Sequence, residues 1–183
     1  RRLNGHVRAM VCTDGSTMPL DERDRHNKTE PRSAAAFTFM EDGARTKELW
    51  GNSAYGWQIL AHDNYMAELA AIHKAIRSVP INVAITIHTD SSSAVDSILS
   101  TMRDPERTNY LRKGGRPYIM SICRAWTQKL AKGAQVHLLH VRAHTGGRST
   151  ASIGNAIADR WAKWYAMAKP QGRDSLSCLD LMV

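Results

Sequence analysis

Four acidic side chains stand beside apolar residues at widely separated positions of the chain. They are Asp14 in VCTDGST, Glu68 in MAELAAI, Asp90 in IHTDSSSAV and Asp159 in GNAIADRWAKW. A carboxylate in an apolar setting is costly unless something compensates its charge. Four such groups brought to one point would repel each other, and a pair of divalent cations would relieve that repulsion. Because hard oxygen ligands suit Mg2+, the four acids predict a two-cation site of the kind that assists hydrolysis.

Each acid taken alone has a simpler explanation. Asp14, which precedes Gly15, could cap a turn after a strand, and Asp90 could belong to a helix N-cap with the serines that follow it. Glu68 and Asp159 are both predicted early in a helix, where they could serve only the helix dipole. The joint pattern favours the metal site, because Asp14 and Asp90 share one context. In both places an apolar strand leads to Thr-Asp and then to small residues, which let ions and a phosphate approach the backbone closely.

The charge of the whole chain indicates a polyanionic partner. The 183 residues carry 25 Lys and Arg against 17 Asp and Glu, which gives a formal net charge of +8. Such a balance favours nucleic acid as a partner, although a basic protein without that role has the same composition. A basic chain with a hidden acidic metal site predicts an enzyme that cuts nucleic acid.

Length and cysteine content limit the class of protein. A hydrophobic content of 43% in 183 residues predicts one domain with a sizeable core. Three cysteines without a CxxC spacing argue against a disulfide framework and a cysteine zinc site. No apolar run reaches the roughly 18 residues that span a bilayer. No secretory or transit segment is evident. We therefore expect no membrane partner and an intracellular location, in the nucleus or cytoplasm. The chain begins at Arg1 rather than Met, which predicts a piece of something longer.

Hydrophobic periodicity predicts nine elements in the order βββαβααβα. Strands are predicted over 7–13, 34–40, part of 48–59, 81–89 and 135–141. Helices are predicted over 65–78, 117–132 and 153–168, with a further helix between strand 81–89 and the loop at 103–117. A hairpin meander followed by βα units predicts an α/β protein with a five-stranded mixed sheet flanked by helices. Strand 81–89 follows a helical crossover and is expected to lie parallel to strand 7–13. Because ligands gather at the carboxyl ends of parallel strands, Asp14 and Asp90 are expected to meet there.

Each of the four predicted helices carries an apolar stripe that is expected to face the core. In the helix that follows strand 81–89 the stripe is Ala94, Val95, Ile98 and Leu99. In helix 65–78 the stripe is Tyr65, Leu69, Ile72 and Ile76. In helix 117–132 it is Ile119, Ile122, Trp126 and Leu130, and in helix 153–168 it is Ile157, Trp161, Trp164 and Ala168. This spacing is typical of helices that cover a sheet.

Five short motifs, taken together and in this order, resemble ribonuclease H of type 1. They are TDGS at 13–16, AEL at 67–69, TDSS at 89–92, HVRAHTGG at 140–147 and GNAIAD at 154–159. The histidine-containing glycine loop that leads into the GNxxAD helix is the most specific part. The resemblance covers about residues 7–168 and implies an RNase H-like fold over that range. Residues 1–6 are then an N-terminal extension, and 169–183 are a C-terminal tail.

The resemblance implies an endonuclease that hydrolyses the RNA strand of RNA–DNA hybrids with two Mg2+ ions, or Mn2+ in their place. It implies that Asp14, Glu68, Asp90 and Asp159 are catalytic residues that hold the two cations. It also implies that His144 is the family's mobile histidine, which assists proton movement or product release.

The resemblance also supplies expected substrate contacts. Asn64, four residues before Glu68, matches a position that reads the minor groove of the hybrid. The backbone around three consecutive residues, Gly15, Ser16 and Thr17, matches a further contact. Selection of RNA is expected to depend on the 2′-OH and on groove width rather than on sequence.

The chain departs from the common family pattern in several places. The loop at 18–34 and the segment between His144 and Asp159 are long, and long forms with HTGG resemble domains joined to reverse transcriptases of retrotransposons. We therefore expect this piece to belong covalently to such a polyprotein. Ala156 stands where many members have Glu. The basic handle helix of some members is missing. Basic side chains of the loop at 103–117 either take its place in substrate binding or are only solvated. These cations are Arg112, Lys113 and Arg116.

Two other functions fit the same motifs. The chain could be a catalytically silent RNase H-like scaffold or nucleic-acid-binding module in a larger assembly, but a scaffold has no reason to keep four acids together. It could also be a nuclease or integrase of the same superfamily that cuts DNA. The HTGG loop and the Glu on the first helix argue against that alternative.

Overall fold

Five strands and four helices follow one another in the predicted order within the residues that the structure describes. The structure is a computed structural model, and it describes residues 8–18, 32–40, 54–59, 63–106, 115–142 and 149–168. The strands are β1 (Arg8–Met18), β2 (Arg32–Met40), β3 (Ala54–Ile59), β4 (Ala84–Thr89) and β5 (Val136–His140). The helices are α1 (Asn64–Ser78), α2 (Ser92–Arg103), α3 (Arg116–Ala131) and α4 (Thr150–Met167).

The strands form one mixed sheet in the order β3-β2-β1-β4-β5. The three N-terminal strands pair antiparallel as a meander, while β1 with β4 and β4 with β5 pair parallel. The predicted mixed sheet is therefore confirmed, as is the parallel pairing of strand 81–89 with strand 7–13. The central strand β1 is covered on both faces, with Val11 in the core under α1, α2 and α3 and Cys12 in a smaller cluster against α4.

Helix α1 begins and ends where its sequence favours a boundary. The Asp63 side chain caps the helix by accepting a hydrogen bond from the Met66 backbone N–H at 2.9 Å. The helix ends at Ser78, and Pro80 follows the C-cap residue Val79 and cannot continue the helix. The predicted stripe of α1 is confirmed, since Leu69, Ile72 and Ile76 are buried and Tyr65 packs against the same core.

Helix α4 meets the sheet through small residues, and most of its predicted stripe is wrong, although Ile157 packs against Cys12 and Met40. The buried positions are Gly154, Asn155, Ala158, Ala162 and Ala166, spaced one helical turn apart for the most part. Trp164, predicted to be buried, is 59% exposed. A Cβ built on Gly154 would collide with the Cys12 and Met40 sulfur atoms. The helix therefore lies too close to β1 for large side chains, and the bulky residues are displaced to its sides and outer face.

The stripe of α3 also differs from its prediction at one position. Leu130 is half-exposed, and its neighbour Lys129 is buried instead. The Lys129 ammonium donates hydrogen bonds to the backbone carbonyls of Val79 at 3.0 Å, Pro80 at 2.7 Å and Val83 at 3.2 Å. Burial lowers the pKa of Lys129, and the three carbonyls compensate its charge at the turn between α1 and β4.

We expect Lys129→Met to destabilise the fold by about 2–3 kcal/mol, because three carbonyls would lose a charged donor in a buried place. Urea unfolding followed by circular dichroism measures the loss. Lys132→Met is the matched control, since it removes an exposed lysine next to the same helix end. Equal stability of the two variants would show that the buried ammonium contributes nothing specific.

His73 of α1 is buried in its neutral form. Its Nε2 shares a 2.7 Å hydrogen bond with Ser121 Oγ on α3. Burial, with smaller contributions from Arg77 and Lys74, lowers the pKa of His73 to about 4. The unfolded chain therefore binds more protons than the folded chain between pH 6.5 and 4, so the contribution of His73 to stability is lost as pH falls through that window.

We expect this effect to cost about 2 kcal/mol between pH 7.5 and pH 5. The measurement is the free energy of unfolding of wild type and His73→Gln at both pH values, since glutamine retains hydrogen-bonding groups but does not titrate. The difference in the free energy of unfolding between the two proteins separates the effect of His73 from that of the acidic groups, which titrate in both. A difference that does not change with pH would contradict the assignment.

Among the described residues, none of the helices combines the length and hydrophobicity needed to cross a membrane.

Candidate metal centre

Three of the four predicted acids meet at one point. Asp14, Glu68 and Asp90 each offer a carboxylate oxygen, and these oxygens all lie within 4.8 Å of one another. Asp14 and Glu68 are each only 4% exposed, and Asp90 is half-buried. The three residues come from β1, from α1 and from the end of β4, so the fold rather than the local sequence brings them together.

Asp14 does not end its strand, as the sequence predicted, but lies within β1. The parallel ladder between β1 and β4 ends at the pair Thr13 and Thr89. Beyond it β1 continues to Met18 by pairing with β2, where Asp14 lies opposite Ala36. The interpretation of Asp14 as a turn residue is therefore wrong. The expected meeting with Asp90 still occurs, because each acid directly follows one member of the last parallel pair.

Glu68 lies in the second turn of α1, not in the first. The helix begins at Asn64 and has no acidic residue in its first turn, so the dipole interpretation of Glu68 is wrong. Helix α1 crosses β1 at Gly15, where an added Cβ would collide with the Glu68 backbone nitrogen and lie 2.5 Å from the Ala67 carbonyl carbon. The Gly15 N–H also hydrogen bonds to the Glu68 carboxylate. Because Gly15 has no side chain, α1 lies close enough to β1 for the Glu68 carboxylate to meet those of Asp14 and Asp90.

Asp90 precedes the N-cap of α2 and is not itself the cap. Ser91 has that role and accepts a hydrogen bond from the Ala94 N–H. The Asp90 carboxylate instead accepts a hydrogen bond from Asn155 Nδ2 of α4 at 3.0 Å. His140 Nε2 at the end of β5 lies 3.2 Å from the Asp90 carbonyl oxygen. Asp90 is therefore held from two neighbouring elements.

Asp159 lies in the middle of α4, which begins at Thr150, so its dipole interpretation is also wrong. It is not one of the three clustered ligands. Its carboxylate pairs with the Lys163 ammonium one turn later, at 2.8 Å. Its negative charge nevertheless contributes to raising the pKa of Asp14. Asp159 therefore borders the cluster.

The electrostatics of the cluster show the cost of placing these carboxylates together. Burial is the main cause that raises the pKa of Asp14 to about 10, followed by repulsion from Glu68, Asp90 and Asp159. Burial, and then Asp90, raise the pKa of Glu68 to about 8, against hydrogen bonds from Asp14, Gly15 and Asn64 that lower it. Among the described residues, Glu68 Oε2 is buried without a hydrogen-bond partner. A divalent cation fits this donor set, because it would neutralise the charges and engage the unpaired oxygen.

The remaining predicted site residues have different surroundings. Gly15, Ser16 and Thr17 lie on β1 next to Asp14, and Thr17 Oγ1 hydrogen bonds with Ser33 Oγ at 2.9 Å. Asn64 is exposed at the start of α1, with its Nδ2 3.3 Å from Glu68 Oε1.

Arg116 is exposed at the first residue of α3, a helix that packs on α1 and α2. His144, Arg112 and Lys113 lie outside the described residues.

Two residues of α4 received no role from the sequence. Asn155 belongs to the GNAIAD motif without a role of its own, and no sequence motif includes Lys163. Both lie one helical turn from Asp159, so the spacing 155, 159, 163 places them on one side of the helix. The spacing of these three residues could have indicated that they share one side of the helix. The large apolar residues between them instead predicted that another side of the helix faces the sheet.

A five-stranded mixed sheet with three carboxylates gathered at its centre defines an RNase H-like α/β protein. The family model for RNase H matches residues 8–167, and the chain belongs to this family. No curated protein matches the chain at a significant level.

Three of the solved structures that share the fold are foamy viral proteins. The solution structure of the PFV RNase H domain matches with a TM-score of 0.67 and 18% identity, covering 88% of this chain and 96% of that one. A foamy viral protease-reverse transcriptase in complex with dsDNA gives 0.63 and 17%, covering 87% and 94%. A prototype foamy virus protease-reverse transcriptase mutant gives 0.67 and 19%, covering 89% of this chain but 21% of that one. At these identities the likeness supports the fold.

Proposed function

We propose that this protein is a metal-dependent endonuclease that hydrolyses the RNA strand of RNA–DNA hybrids. The observation that carries the proposal is the convergence of Asp14, Glu68 and Asp90, with two of them buried and one oxygen unpaired. Such an arrangement is unfavourable for a structural role alone, because like charges in a buried place destabilise the fold. Membership of the RNase H family supports the same function.

The three clustered carboxylates would hold a divalent cation, Mg2+ or Mn2+, and Asp159 would share in holding a second. When bound, the cations would activate a water molecule and stabilise the leaving 3′ oxygen. Lys163 does not prevent Asp159 from taking part, since an exposed pair of this spacing contributes only about 0.3–0.5 kcal/mol. His144 would assist proton movement or product release.

The hybrid would lie over the edge where β1 and α1 cross. There Asn64 presents an exposed amide beside Glu68, and the backbone of Gly15, Ser16 and Thr17 continues along the same strand. The net charge of +8 favours phosphate contacts, which would make binding sensitive to salt. Arg112, Lys113 and Arg116 are our candidates for these contacts.

We further propose that the domain acts as part of a protein that contains reverse transcriptase. Two of the structural neighbours are protease-reverse transcriptases, and one of them is complexed with double-stranded DNA. A retrotransposon origin agrees with the long HTGG segment of the sequence.

Comparing three substrates of one sequence tests the proposed function. Purified protein is incubated in Mg2+ with an RNA–DNA hybrid, duplex RNA and duplex DNA, each labelled on both strands. We expect cleavage of the RNA strand of the hybrid only, and no cleavage in EDTA. Cleavage of duplex DNA would favour the DNA-cutting alternative. An absence of cleavage together with an absence of Mn2+ binding would favour the silent scaffold.

A further inference from the structure

Asn155 is a buried polar residue that contacts the Asp90 carboxylate but has no role in the proposed reaction. It is 4% exposed and lies in α4, beside the closely packed Gly154. Because Gly154 fixes the helix against Cys12 and Met40, the Asn155 side chain has little freedom to move. Its Nδ2 donates a 3.0 Å hydrogen bond to Asp90 Oδ2. The packing of α4 thus places an amide donor within hydrogen-bond distance of one of the three clustered carboxylates.

The other end of this amide is unsatisfied. Asn155 Oδ1 is buried and has no hydrogen-bond partner among the described residues. A buried acceptor without a partner loses the hydrogen bonds that it makes with water in the unfolded chain, so packing alone would favour an apolar residue of the same shape. The residue is better explained by what it does to Asp90. An amide donor fixes the orientation of the carboxylate that accepts its hydrogen bond, and the orientation of a ligand affects how tightly a cation is bound.

We propose that Asn155 is a positioning residue of the metal centre. Its Nδ2 holds the Asp90 carboxylate in the orientation that lets it share a cation with Asp14 and Glu68. Its Oδ1 remains as an acceptor for a water molecule or substrate hydroxyl group that enters the centre. This inference rests on the proposed metal-dependent function and adds a residue that acts through Asp90. Groups that orient metal ligands typically change metal affinity 10- to 100-fold when removed.

The test compares Asn155→Leu with wild type. Leucine approximates the shape of asparagine and removes both hydrogen-bonding ends, while Asn155→Ala serves as a second variant in case leucine does not fit. Thr101→Val is the matched control, because it removes a buried hydrogen bond, the 2.8 Å bond to Ser97 O on α2, without a change of shape. Mn2+ affinity is measured by titration calorimetry, and the thermal midpoint Tm is measured in EDTA.

We expect both Asn155 variants to bind Mn2+ about 10- to 100-fold more weakly, and Thr101→Val to bind as wild type does. We also expect excess Mn2+ to restore hybrid cleavage by the Asn155 variants, which loss of a purely structural contact would not allow. Unchanged Mn2+ affinity in folded Asn155→Leu and Asn155→Ala would overturn the inference while leaving the proposed function intact. Absence of Mn2+ binding by wild type would overturn both.

Discussion

Asp14→Asn is expected to reduce hybrid cleavage on the order of 1,000-fold and, at the same time, to stabilise the protein in EDTA. The loss of cleavage follows because Asp14 is one of the three clustered carboxylates that would hold the proposed cation, and a cation centre contributes several kcal/mol to the transition state. The gain in stability follows because burial and repulsion keep Asp14 from its favourable ionised form, a cost that the neutral asparagine does not have. A residue kept only for packing would not give opposite effects on activity and stability.

The stability effect has a defined dependence on pH. Since burial and neighbouring acids raise the pKa of Asp14 to about 10, the folded metal-free protein binds more protons than the unfolded chain between about pH 4 and pH 10. Its stability therefore falls as pH rises through that range, and Asp14→Asn avoids this contribution. We expect the variant to exceed wild type by about 2 kcal/mol at pH 8, or roughly 4–8 °C in Tm, and by less at pH 5.

Thermal unfolding in EDTA and in Mn2+ measures both parts of this prediction. Mn2+ should raise the Tm of wild type and leave that of Asp14→Asn nearly unchanged. Asp96→Asn on the exposed side of α2 makes the same chemical change away from the centre and should have neither effect. An Asp14→Asn protein less stable than wild type in EDTA at pH 8 would contradict the electrostatic description.

Gly15→Ala is expected to lower both stability and Mn2+ affinity, through shape rather than charge. An added Cβ would meet the backbone of α1 at Ala67 and Glu68, and neither can turn away as a flexible side chain could. Either the helix or the strand must move, which we expect to cost about 3 kcal/mol of stability. Because the displaced helix carries Glu68, Mn2+ affinity should fall at least about 10-fold as well.

Gly133→Ala is a useful comparison for this variant. Gly133 has a φ of 75° and no neighbour of an added Cβ within 4 Å. Alanine there should cost about 1 kcal/mol through backbone strain and leave Mn2+ affinity unchanged. If Gly15→Ala lost stability but retained the Mn2+ affinity of wild type, the close approach at Gly15 would not be what positions Glu68.

The sequence predicts the arrangement of the sheet well, because periodicity and connection rules act over short distances along the chain. Alternation identifies the strands, the stripe of α1 identifies its buried face, and the helical crossover predicts the parallel pairing of β1 with β4. Asp14 and Asp90 were expected to meet for the same reason. Each acid follows an apolar strand, and parallel strands have their carboxyl ends at the same edge of the sheet. Their meeting could therefore be predicted without knowledge of side-chain packing.

The features that the sequence missed depend on contacts between distant segments. The continuation of β1 through Asp14 requires its partner β2, and the true start of α4 at Thr150 places Asp159 in mid-helix. The buried side of α4 is made of small residues because β1 approaches closely, whereas the prediction favoured its tryptophans. Lys129 and Asn155 are buried because of partners in other elements, and no local pattern marks such partners.

The most direct measurement is cleavage of a hybrid labelled on the RNA strand by wild type and Glu68→Gln, purified in the same way. Glutamine keeps the size of the side chain but removes the charge of a buried ligand whose Oε2 is unpaired. We predict RNA cleavage by wild type in Mg2+, and no detectable cleavage by a folded Glu68→Gln protein at any Mg2+ concentration. Equal cleavage by the two proteins would contradict the central claim that these carboxylates hold the catalytic cations.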